Sequence, residues 1–256
     1  MWHLVETDVA ATTPARPMSR STTMFQEALS YPRDSDSAVK TIAIGGVLLF
    51  LSFLVVPVFF VLGYIARTLR AVLDDEAEPP VFDDWGDLGM DGLKVFAIGF
   101  AYSLVPAAIA LAAVFASGAT LGLGGNGAGS GLAVGLIALV ATLAVTVLSL
   151  AIAYVLPAAI VAYVRTDSIA AAFAPDELRR LAFSRTYATG WLVAFGISLI
   201  AGVLIGVLNA VVIGAVLAPF VTFYANVAGT YAIGTAVRDM PATDAGDETP
   251  ATGSVA

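Results

Sequence analysis

The chain has no cysteine and a single histidine, His3, among 256 residues. Disulfides, thiolate metal sites and cysteine nucleophiles are therefore excluded. His3 sits in a polar leader, so histidine acid–base chemistry and histidine metal ligation are not expected in the rest of the chain. Charge is scarce as well: charged residues make up 12% of the sequence, against roughly a quarter in a soluble domain. Lysine occurs only at Lys40 and Lys94, and nothing between Lys94 and Arg165 is charged. A surface so poor in charge is not wetted, and lipid is the natural solvent for most of it. No basic stripe exists to neutralise phosphates, so no nucleic-acid partner is expected. The expected partners are the lipid bilayer, other membrane proteins and a second copy of the chain.

What is present is apolar. Hydrophobic residues reach 59% and the mean hydropathy is +0.88. Residues 1–23 form a polar leader with Pro14 and Pro17 and no apolar core of signal-peptide length. Residues 24–238 read as one helical transmembrane domain, and 239–256 as a disordered acidic tail. Within the domain, Thr41–Ala66 is uncharged, and spans are expected over Val95–Ala116, Leu132–Val164 and, twice, Tyr187–Ala236 with a turn near Asn209. The glycines between Ser117 and Gly131 predict a flexible loop.

The Thr41–Ala66 run is either one tilted span kinked at Pro57 or a short hairpin turning between Ser52 and Pro57. Basic residues near span ends set orientation. Five spans would put Arg16, Arg20, Arg33 and Lys40 on the outer side. Six spans place all 12 basic residues on the cytoplasmic side, with both termini, and leave the outer turns near Leu54, Gly125 and Asn209 uncharged. Orientation therefore favours six. A weak repeat points the same way. The descending arms from Pro57, Pro157 and Pro219 each carry an apolar stretch and then a tyrosine close to an arginine. Amphipathic stretches at 24–40, 82–94 and 173–187 precede the rising arms. The fold class is thus all-α and polytopic, three helical hairpins each introduced by a cytoplasmic interfacial helix.

The segment from Gly45-Gly46 through Pro57, Gly63-Tyr64, Arg67 and Arg70 to Asp83-Asp84-Trp85-Gly86-Asp87 and Asp91-Gly92 resembles a prokaryotic membrane family, domain of unknown function 4013. Leu156-Pro157-Ala158-Ala159, Ala172-Phe173, Tyr187 with Gly190-Trp191, and Pro219-Phe220 are similar to its later landmarks. The resemblance runs from about Met24 to Arg238, implies a membrane protein, and supplies no activity. The leader departs from it, which points to Met18 or Met24 as the start. The acidic, lysine-poor balance is similar to that of salt-accumulating archaea; an acidic loop set in a GC-rich bacterium gives the same signal.

The sharpest candidate site is Asp83, Asp84, Asp87 and Asp91. This DDxxDxxxD spacing resembles the first acidic motif of intramembrane prenyltransferases, where carboxylates a turn apart hold Mg²⁺ against a diphosphate. The second acidic string of such enzymes is missing, six spans are too few for their fold, and Gly86, Gly89 and Gly92 weaken a helix that would present the acids. The alternative is an interfacial helix with Val81, Phe82, Trp85 and Leu88 in lipid and the acids in water; no metal site and no cofactor are then expected. No span carries an ionisable group, although transporters usually need one. Tyr102, Ser103, Ser149, Tyr154, Thr222, Tyr224, Asn226 and Tyr231 either line a path or, the favoured reading, hydrogen-bond between helices. The pairs Gly131/Gly135 and Gly202/Gly206 have small-residue spacing for close packing. The molecular function is unknown from sequence. A non-catalytic scaffold or accessory subunit leads, with a facilitative transporter and a Mg²⁺-dependent lipid-phosphate enzyme as alternatives.

Overall fold

A computed structural model describes residues 20–125, 127–210 and 212–241; the expected leader and acidic tail fall almost wholly outside these. The elements are α1 (Arg20–Ser30), α2 (Ala38–Phe50), α3 (Val56–Leu73), α4 (Trp85–Gly124), α5 (Ala128–Thr166), α6 (Pro175–Ala182), α7 (Arg185–Asn209) and α8 (Val212–Val237), with short 3-10 turns at Tyr31–Arg33, Leu51–Leu54 and Ile169–Phe173. The described residues contain no strand. Five helices, α3, α4, α5, α7 and α8, are long and apolar enough to cross a bilayer. The sixth arm, α2 with its 3-10 turn, reaches that length only together with α1, from which it is bent by 87°.

The Thr41–Ala66 run is a hairpin. Gly45 on α2 lies against the Phe223 ring, and Tyr64 on α3 has its ring 5.3 Å from the same ring. A continuous helix would hold Gly45 and Tyr64 about 28 Å apart at 1.5 Å per residue. The reversal falls at Val55, whose backbone has φ 67° and ψ −50°, a region β-branched residues rarely enter. Pro57 follows in the first turn of α3, where its missing N–H costs nothing.

Two expectations change. The Ser117–Gly131 stretch is mostly helix, up to Gly124 and again from Ala128. In hydrocarbon a peptide group has no water to turn to, so the helix is kept despite glycine's entropy cost. The 82–94 stretch is not a separate interfacial helix: from Trp85 it runs without a break into the span of α4. The other two amphipathic stretches do form short helices, α1 and α6. Pro175 occupies the first turn of α6, with Asp176 and Glu177 near its positive end and Arg179 and Arg180 near its negative one.

The hairpins meet around α3 and α8. Here the close contacts belong to glycines outside the expected pairs. A Cβ on Gly63 would stand 1.9 Å from the Leu88 carbonyl oxygen, and one on Gly92 would stand 1.7 Å from that of Phe59. Gly190 abuts Ala232 and Ala236, and Gly46 takes the Phe220 ring. Gly131, Gly135, Gly202 and Gly206 instead face open space. Helix α5 packs along α4 and also touches α3, yet no residue of its most apolar stretch is fully buried within the chain.

Candidate functional site

Both ends of the three hairpins converge on one charged face, because every descending arm closes with a tyrosine and an arginine. Tyr64 and Tyr163 are fully buried. Tyr64 donates to the Pro80 carbonyl at 2.9 Å, and Tyr163 donates to Asp91 Oδ1 at 3.1 Å. Tyr231 stacks on Tyr31 at 4.4 Å. Burial first, and then Tyr64, Tyr231 and Glu76, push the Tyr31 hydroxyl above its ordinary value. The arginines lace the arms together: Arg67 pairs with Asp83, Arg165 donates to the Val237 carbonyl, and Arg238 pairs with Asp75. Arg180 grips Glu177 and donates to the Pro241 carbonyl.

The four candidate aspartates are not brought together. Asp83 is drawn to Arg67. Asp84 sits in a left-handed conformation before α4. Asp87 points to solvent from its first turn. Asp91 turns inward, its side chain only 17% exposed, with Oδ2 3.1 Å from Arg70 Nη1 and Oδ1 accepting from Tyr163. Lys94 Nζ lies 3.9 Å from Asp91 and 3.6 Å from Asp167, and 5.8 Å from the Tyr163 ring centre. Among the described residues no three or more acids or histidines are placed to share a metal ion. The apolar neighbours of the string also differ from expectation. Leu88 is fully buried, and Phe82 stacks on Tyr64 at 4.4 Å. They pack on protein rather than lipid, while Trp85 stays half-exposed beside Phe60.

Sequence reasoning missed the five-residue knot of Arg70, Asp91, Lys94, Tyr163 and Asp167. The repeated tyrosine–arginine endings were its available signal. Three of the four in-span tyrosines act as read: Tyr102 donates to Ala172, Tyr154 to Ala182 and Tyr224 to Leu29, all carbonyls, whereas Tyr231 stacks on Tyr31. Ser103 and Thr222 instead bond within their own helices.

A second feature lies at span depth. Between α5 and the α7–α8 pair runs a groove of about 340 Å³, floored by Ile65 and Leu69 of α3. Its walls are Ala153, Pro157 and Ile160 on α5; Trp191, Ala194, Phe195 and Ser198 on α7; and Ala225, Asn226, Gly229, Thr230 and Ile233 on α8. It is the cavity between spans that a transporter would need, and its lining is mainly apolar.

An all-helical chain with five to six candidate spans and its charges gathered at one end is a polytopic helical membrane protein. It matches, over residues 48–210, the family described as "Protein of unknown function (DUF4013)", and it belongs to that family. No curated protein and no solved structure matches it.

Proposed function

We propose that this chain is a non-catalytic scaffold or accessory subunit of the cell membrane, with both termini cytoplasmic. The carrying observation is the charged face. Arg67, Arg70, Arg165 and Arg238 are spent on Asp83, Asp91, the Val237 carbonyl and Asp75, and these bonds join one element to another. Groups engaged in this way hold three hairpins in register and are not poised for proton or phosphoryl transfer. The orientation rests on the basic residues, which cluster at that same face. A metal-dependent lipid-phosphate enzyme would need Asp83, Asp84, Asp87 and Asp91 to converge, and they diverge. A transporter of polar solutes would need a polar path, and the groove offers an apolar one.

The absence of cysteine makes the test direct. Single cysteines at Phe115 on α4 and Leu139 on α5, both exposed, are cross-linked in native membranes. A discrete adduct, either a dimer or a complex with one other membrane protein, is the expected result. Monomer alone at both positions would sink the scaffold reading.

A further inference from the structure

We propose that the groove between α5, α7 and α8 is a binding site for a neutral lipophile that carries a hydrogen-bonding carbonyl on an alkyl or isoprenoid chain, of the prenylquinone class. This goes beyond the scaffold reading and does not depend on it. Three observations converge on that chemistry.

The first is access and size. The groove's walls are spans, so it opens to hydrocarbon, and a volume of about 340 Å³ falls in the range of small-molecule sites. The second is the state of its polar groups. Trp191 donates to the Ala153 carbonyl at 3.1 Å, Ser198 to Ala194 and Thr230 to Asn226, both at 2.9 Å or less. Among the described residues the Asn226 side-chain amide makes no hydrogen bond, although it is exposed to the groove. An amide left unpaired in hydrocarbon is costly, so an occupant that bonds it is favoured over one that does not.

The third is depth. Asn226 lies twelve residues before Arg238, which places it about 18 Å along the helix from the charged face, near the middle of a ~30 Å core. Phospholipid ester groups stay at the interface, so a phospholipid chain would meet the amide only with methylenes. A neutral lipophile can carry its carbonyl that deep. Trp191 and Phe195 also stack at 5.1 Å and 7° along one wall, a flat surface suited to a conjugated ring.

The test uses the full chain in phosphatidylcholine nanodiscs, with Trp2 and Trp85 changed to Phe so that Trp191 alone reports. Decylubiquinone is titrated and Trp191 quenching is read. Saturable quenching is expected. Asn226→Leu should weaken it about tenfold or more, the equivalent of 1.4 kcal/mol for one lost hydrogen bond in apolar surroundings. Ser198→Leu, which fills the groove from the α7 side, should weaken it as well. An excess of decylbenzene, which has the chain without the carbonyl, should not displace the quinone. Unsaturable quenching identical in all three proteins, or recovery of Trp191 fluorescence when excess decylbenzene is added, overturns the proposal. So does full affinity in Asn226→Leu. Helical circular dichroism and elution position confirm that each variant is folded.

Discussion

Gly63 on α3 and Gly92 on α4 meet backbone to backbone: a Cβ on Gly92 would lie 1.7 Å from the Phe59 carbonyl oxygen and 2.9 Å from the Gly63 nitrogen. No side chain could yield there, because both obstructing atoms belong to the main chain. Gly92→Ala must separate α3 from α4, and a destabilisation of about 1–3 kcal/mol is expected from overpacking. Gly99, with nothing within 4 Å of its Cβ position, should accept alanine without loss. Thermal unfolding in detergent micelles compares the two, and equal midpoints would contradict the crossing.

The reversal at Val55 makes the opposite prediction. Its φ of 67° costs a β-branched residue of order 1–3 kcal/mol, and glycine adopts that conformation freely. Val55→Gly should therefore raise stability in spite of glycine's larger unfolded-state entropy. A lowered midpoint would show that the turn is not built this way.

Asp91 and Asp87 occupy the same helix yet differ in environment. Asp91→Asn weakens the contact with Arg70 and the hydrogen bond from Tyr163 at a largely buried position. A loss of about 1.5–3 kcal/mol is expected, as for hydrogen bonds to charged groups. Asp87→Asn, at an exposed site, should stay within about 0.5 kcal/mol of the parent. The same pair of unfolding curves reads both.

Divergent carboxylates should not hold a metal tightly. Calorimetry of Mg²⁺ on the parent and on the Asp84→Asn/Asp87→Asn variant is expected to show no saturable heat in either. Tight binding that vanishes in the variant would restore the lipid-phosphate enzyme to first place.

Orientation is tested by reporters fused after Met24 and after Met240. Both should read cytoplasmic. Signals from opposite faces would return the chain to an odd number of crossings, with α2 folded back into one leaflet.

The hydrophobic pattern revealed the helical class, the α7–α8 turn near Asn209 and the tyrosine–arginine endings, because burial in lipid and charge at the membrane surface leave direct marks on sequence. The hairpin at Val55 was visible only through the distribution of charge and a weak repeat, since an uncharged run of that length satisfies two geometries. Close-packing glycines were misplaced for a different reason. The spacing of Gly202 and Gly206 states that a helix can be approached, whereas Gly63 and Gly92 depend on which helices cross and at what height. The acidic string was likewise read as one face. In the structure Asp91 faces inward, because Gly92 brings α4 against α3 and carries its neighbour within reach of Arg70 and Tyr163.

Helices α4 and α5, at 40 and 39 residues, would each extend about 60 Å, while α7 and α8, at 25 and 26 residues, extend about 38 Å. One molecule thus asks its surroundings for two thicknesses at once. The flank formed by α4 and α5 must lean or draw the lipids beside it into a taller collar, at a cost of fractions of a kcal/mol per ångström of mismatch. The opposite flank is nearly matched to an ordinary core. Such a lopsided footprint makes the bilayer itself sense which side of the protein it touches, and it favours neighbours that share the taller collar over neighbours approaching from the shorter side.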